Sequence, residues 1–407
     1  MATSLPMGRF LAVVVLVLLA VAYVVVQFLR PVPAVAATAG TLFQTMPGAP
    51  ASLAWPAQGE AAIGVEGAGL LGTSGQQAPT ALASVTKLMT AYLVLRDHPL
   101  TATGSGLSIT VSPADVTTYE QDKAVGDSVV AVTPGEQLTE RQALEALLVP
   151  SGDNIATLLA DWDAGSETAF VAKMNAAAKQ LGLTHTHYTD ASGVAPGTVS
   201  TAASQVRLAM VDMADPAFRA IVDMAQVTLP VAGLQYNVDA LLGHDGIVGV
   251  KTGFTTTAGG CFVFAAKTTI AGKPETLVGA VFHQFGTVAQ PSALTEAFDA
   301  TTALVTSADH ALVQTAVVHR GEVLGHLRAP WAPTVALEAT RDVTLIGLPG
   351  QRVRTEVVLP NRVNAPVAAG QGFGNAVVEV GDRRVTVPLA TSGALPSAPI
   401  SWRLTNV

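Results

Sequence analysis

Ala83-Ser84-Val85-Thr86-Lys87-Leu88-Met89-Thr90 sets a short polar start in front of an apolar helix. Three positions separate Ser84 from Lys87, so on a helix both side chains leave the same face. Leu88, Tyr92 and Leu95 continue close to the helical period. The serine falls in the first turn, where unpaired N–H groups create positive potential. A serine hydroxyl is a weak nucleophile until a base takes its proton, and a lysine does so only when neutral. Burial and a neighbouring cation both favour that neutral amine. Taken by itself, this spacing is no more than a solvated helix start.

Two further stretches change the reading. Pro150-Ser151-Gly152-Asp153-Asn154 follows an apolar helix, and Val250-Lys251-Thr252-Gly253 lies farther along the chain. Ser-x-x-Lys, then a serine turn, then Lys-Thr-Gly is the ordered signature of penicillin-binding enzymes and β-lactamases. The flanks narrow it. Ala83 to Ala91, Tyr188-Thr189-Asp190-Ala191-Ser192-Gly193 and Gly246 to Thr255 resemble the low-molecular-mass D-alanyl-D-alanine carboxypeptidases, penicillin-binding proteins of peptidase family S11. The resemblance covers about residues 58 to 290, and more loosely the remainder.

That resemblance implies roles. Ser84 is the nucleophile, Lys87 its base, and Ser151 passes a proton to the leaving D-alanine. Lys251 contributes positive charge, and Thr252 and Gly253 lie with it on the strand that receives the substrate carboxylate. The oxyanion hole is expected from the Ser84 N–H and a second N–H near Thr255. The family's usual third element is Ser-x-Asn. Here that position holds Asp153, with Asn154 one later, so either residue is a candidate for substrate binding. No cofactor or metal is required. The implied partners are peptidoglycan stem peptides and β-lactam antibiotics as covalent inhibitors.

Composition marks a compact and weakly charged protein. Charged residues make up 13% of 407 and the net charge is −8, so nothing attracts nucleic acid globally. The single Cys261 sits in an apolar run and reads as a buried small residue. Phe10 to Leu29 is apolar on every side and long enough to cross a bilayer. It reads as an uncleaved anchor, with a signal segment cleaved near Ala36 as the alternative. Both put the catalytic part outside the cytoplasm, at the cell membrane or, if cleaved, secreted or in the wall.

The expected organisation is an anchor or signal segment over 1–30, a Pro/Ala-rich linker over 31–57, a catalytic domain over 58–308 and a small all-β domain over 309–407. The fold class is α/β in the α+β sense. A strand pair over Ala61–Gly75 and strands near Ile247–Thr252, Cys261–Lys267 and Thr276–His283 enclose a helical insert and form one antiparallel sheet. Asp115 to Asp127 reads as a surface loop. Gly67 to Gly72 has the form Gly-x-Gly-x-x-Gly, but no helix opens after it, so it reads as a hairpin rather than a dinucleotide site. His185 and His187 lack a third zinc ligand of recognisable spacing. A class A β-lactamase would need a further glutamate motif that is absent after Ser151. The same motifs would also serve a D,D-endopeptidase, and an inactive wall-binding pseudoenzyme would keep the fold without the chemistry.

Overall fold

The computed structural model describes residues 7–287 and 292–406; the first six residues of the expected anchor, residues 288–291 of the expected catalytic domain, and Val407 lie outside it. A five-stranded antiparallel sheet organises the catalytic part. Its order runs Ile247–Thr255, Gly259–Ile270, Lys273–Gln284, Glu60–Val65, Gly69–Ser74, so strands from both ends of the region meet. The reason is visible in the alternation of side chains. Along Gly259–Ile270, Cys261, Val263 and Ala265 join the core under the helical insert. Phe262, Phe264 and Ala266 face the closing helix Ala293–Ala311. A sheet covered on both faces needs near-continuous apolar strands, and that is what the sequence supplies. Burial pushes the Cys261 thiol up to about 12, so it stays protonated.

The helical insert is capped as its sequence dictates. Thr139 and Gln142 form a capping box at the start of Glu140–Leu148. Ser166 caps Glu167–Gln180 and Thr201 caps Ala202–Ala214. The expected loop at Asp115–Asp127 is instead a helix, Pro113–Val125. Ser112 and Asp115 form a second capping box with Pro113 at the first helical position. The helix buries none of its residues, so it lacks the apolar period by which a helix is recognised.

The expected linker over 31–57 is also corrected. Ala36–Ala39 and Thr41–Thr45 are strands, and they form the two edges of a seven-stranded sheet otherwise built from C-terminal residues. Ala36 stands opposite Arg328, and Thr45 opposite Arg352. The sheet has its own core, including Leu327, Leu337, Val353, Val378 and Leu389. It meets the catalytic part through polar contacts to both helix and sheet: Asp382 pairs with Arg207 of the helix Ala202–Ala214 at 2.6 Å, and Gln351 donates to the Leu71 carbonyl of the five-stranded sheet at 3.2 Å. The last helix, Ile400–Thr405, packs on the N-terminal helix Met7–Leu29.

Candidate active site

Ser84 sits on a one-turn 3₁₀ helix, Ala83–Thr86, that runs directly into the α-helix Lys87–Asp97. Ala83 enters this turn in the left-handed region, at φ 49°. Such backbone strain persists only where the surroundings enforce it. Two glycines provide the enclosure. A Cβ on Gly193 would lie 1.9 Å from the Ala83 carbonyl, and one on Gly253 would lie 2.9 Å from the Leu82 carbonyl and 3.1 Å from the Val85 nitrogen. The last residue of Lys251-Thr252-Gly253 is therefore glycine so that its strand can lie against the nucleophile turn.

Lys87 is fully buried, with Nζ 2.8 Å from Ser84 Oγ, 2.5 Å from Asp153 Oδ1 and 3.2 Å from the Ser192 carbonyl. Three acceptors match the three N–H bonds of an ammonium. Ser151 occupies the left-handed region at φ 68° and starts the turn into the helix Asp153–Ala164. Its Oγ accepts from Lys251 Nζ at 2.9 Å, and the same Nζ donates to the Thr252 carbonyl at 3.0 Å. Lys251 lies on Ile247–Thr255, the edge strand of the sheet, whose outer side faces the Ser84 turn.

Asp153, not Asn154, meets the lysine. Successive helical residues point about 100° apart, so one of them can face Lys87. The Asn154 amide is spent on the Val130 backbone, accepting from its N–H and donating to its carbonyl, both at 2.9 Å. Asn154 pins the loop around Val130 and leaves the substrate side, which corrects the substrate-binding assignment. Asp153 Oδ2 accepts from the Ser128 N–H at 3.0 Å, so the loop and the lysine hold opposite oxygens of one carboxylate.

The charges differ from the sequence-based expectation at Lys251. Complete burial, aided by the charge on Lys87, holds its ammonium well below the usual lysine range, against the opposing pull of Asp153 and Asp239. A standing positive charge is therefore disfavoured in the substrate-free cleft. Asp239 is pushed up to about 6 by burial, although it accepts from the Leu241 N–H at 2.9 Å. Sequence reasoning assigned no role to Asp190 or Ser192. The Asp190 carboxylate gathers the Ser192 hydroxyl and the Gly193 and Val194 N–H groups. That turn presents the Ser192 carbonyl to Lys87. The family-like stretch Tyr188–Gly193 was the available signal, but carbonyl direction is not written in residue identity.

Residues 57–280 match the family model described as D-alanyl-D-alanine carboxypeptidase. A D-alanyl-D-alanine carboxypeptidase of Streptomyces sp. strain K15 is 34% identical over 237 residues, covering 52% of this chain and 76% of that protein. DacB2 of Mycobacterium tuberculosis, also a D-alanyl-D-alanine carboxypeptidase, is 41% identical over 144 residues, covering 34% of this chain and 49% of that one. Penicillin binding protein 5 from Haemophilus influenzae shares the fold at a TM-score of 0.62 and 20% identity, covering 86% of this chain and all of that one. The ordered motifs, their convergence on one cleft and the match over more than half its length mean that the chain belongs to the D-alanyl-D-alanine carboxypeptidase family of serine peptidases.

Proposed function

We propose that this serine peptidase removes the terminal D-alanine from peptidoglycan stem peptides through an acyl-enzyme on Ser84, working outside the membrane that Met7–Leu29 crosses. The observation that carries the reading is the hydrogen-bonded set of Ser84, Lys87 and Asp153 beside Ser151 and Lys251. Lys87 becomes a base by yielding one proton to Asp153, and then takes the proton of Ser84. Ser84 Oγ bonds to the carbonyl carbon of the penultimate D-alanine, and the bond from that carbon to the terminal nitrogen breaks. Ser151 gives its proton to that nitrogen and is refilled from Lys251.

Substrate makes this relay possible. The terminal carboxylate, docked beside Lys251 and Thr252, adds the negative charge that favours an ammonium on Lys251. The edge strand supports an extended peptide through its free backbone groups. The oxyanion falls to backbone N–H groups, with Ser84 and the Thr255 region as candidates. Water then releases the acyl group, with Lys87 again as base. The 23-residue helix Met7–Leu29, whose most apolar 18-residue stretch has mean hydropathy 2.9, supports attachment to the membrane.

Fluorescent penicillin tests the acyl step. Wild type should form a stable adduct and Ser84→Ala none; equal labelling of both rejects the assignment. Release of D-alanine from a pentapeptide, compared with cleavage of a crosslinked dimer, separates carboxypeptidase from endopeptidase action.

A further inference from the structure

The outer end of the apolar helix carries a feature unrelated to the cleft. Gln27 is the one buried residue among those described on Met7–Leu29, at 6% exposure. Its Oε1 is buried without a hydrogen-bond partner. Gln27 lines a cavity of about 260 Å³ together with Arg30, Trp402, Arg403 and Asn406. The cavity exists because the C-terminal helix Ile400–Thr405 leans on the N-terminal one. Tyr23 Oη donates to the Leu404 carbonyl at 2.9 Å, and Arg403 Nη1 to the Phe28 carbonyl at 3.2 Å.

A second cavity, of about 470 Å³, shares Arg403 and adds Arg362. Among the described residues, Arg30, Arg362 and Arg403 share with Arg9, Arg320, Arg328, Arg341, Arg352 and Arg383 the lack of a carboxylate within ion-pair distance; what sets the three apart is that they line these two adjoining cavities. Three unpaired arginines at one end of a chain with net charge −8 form a local field of opposite sign to the whole. Trp402 stacks edge-on with Trp331 at 5.4 Å beside them. Tryptophan and arginine together favour the membrane–water boundary.

Depth agrees. The 23-residue helix is about 34 Å long, against a hydrocarbon thickness of about 30 Å. Gln27 then lies about 13 Å from mid-helix, where hydrocarbon gives way to headgroups.

We propose that this cavity binds the headgroup of a phospholipid in the leaflet beneath the catalytic domain, with its phosphate between Arg30 and Arg403 and a headgroup donor on the Gln27 amide oxygen. Guanidinium groups take phosphate oxygens in paired hydrogen bonds. The terminal amide torsion of glutamine is soft, so Oε1 turns to a hydroxyl or ammonium at little cost, and the buried acceptor gains the partner it lacks. The site rests on the membrane-spanning reading of Met7–Leu29 and is independent of the chemistry at Ser84.

The experiment uses the full chain in non-ionic detergent, titrated with phosphatidylglycerol or phosphatidylcholine and followed by native mass spectrometry. Phosphatidylglycerol offers hydroxyl donors; the choline headgroup offers none. Wild type should retain one phosphatidylglycerol at about tenfold lower lipid concentration than phosphatidylcholine. The double variant Arg30→Gln, Arg403→Gln should lose that retention about tenfold or more. Gln27→Leu, which leaves the helix more apolar, should erase the preference between the two lipids, and it serves alone if the double variant is poorly recovered. Retention unchanged in these variants overturns the site. Full displacement by millimolar inorganic phosphate also overturns it, in favour of a simple anion site. An intact mass lacking the residues before about Ala36 overturns the membrane reading and the lipid site together. Penicillin labelling of each variant reports the catalytic domain separately.

Discussion

The cleft and the C-terminal sheet each set a basic side chain against carboxylates, and they do it in opposite surroundings. Lys87 and Asp153 meet at 2.5 Å with side-chain exposures of 0% and 6%. Arg354 meets Glu356 and Glu379 at 2.6 and 2.8 Å, but its side chain is 41% exposed. Water screens the second cluster, so it adds little stability and constrains little. The first has surrendered its hydration, and its attraction roughly offsets that loss. A buried ion pair is therefore poorly explained by stability. It is well explained by proton transfer, which needs titrating groups in fixed contact.

The sharpest way to break the contrast is Lys87→Ala. Removing the base should slow penicillin acylation by about 10²–10⁴-fold, measured by stopped-flow labelling, whereas the same truncation at Arg354 should leave the rate unchanged. Asp153→Ala should come next. It strands a buried ammonium and should cost about 3–5 kcal/mol in a denaturant titration. Asp153→Asn keeps one acceptor oxygen for the lysine but sets its NH2 against the Ser128 N–H, so it should recover only part of that stability while slowing acylation. Equal acylation by wild type and the Asn variant at all pH values would remove Asp153 from the proton path.

A third test uses pH. Asp239 is raised from 3.8 to about 6 in the folded chain. The folded state therefore binds this proton more tightly than the unfolded one. Its contribution is full below about pH 4 and is lost as pH rises through 6. Two pH units at about 1.36 kcal/mol each make this on the order of 2–3 kcal/mol. Thermal midpoints taken from pH 4 to 7 should fall less in Asp239→Asn than in wild type; parallel curves would refute the assignment. The smallest effect belongs to the exposed cluster: Arg354→Gln should leave the denaturant midpoint essentially unchanged, and a clear loss would mean that the two regions are not as different as their exposures indicate.

Much of the catalytic part was legible because its signals are local. Ser-x-x-Lys, the Thr139 and Ser166 caps and the apolar strands each declare themselves within a dozen residues. The strand Ala36–Ala39 declares nothing. Its four small residues pair with Val323–Ala329, nearly three hundred positions away, and only that partner makes them a strand. The helix Pro113–Val125 escapes a sequence reading because only Val116 and Tyr119 pack on the core and no residue of it is fully buried. At the site, residue identities were readable but directions were not. Whether Asp153 or Asn154 faces Lys87 follows from the left-handed backbone at Ser151, and the state of Lys251 follows from complete burial that no spacing reveals.

The strands Ala36–Ala39 and Thr41–Thr45 also set how much free chain follows the apolar helix Met7–Leu29. Only six residues separate Leu29 from Ala36, where the chain is already locked into the seven-stranded sheet. A flexible tether of some twenty-five residues would let the cleft roam through a depth of wall. A sheet clamped at both margins leaves only those six residues as tether, so on the proposed membrane-anchored reading the C-terminal sheet sits close against the bilayer.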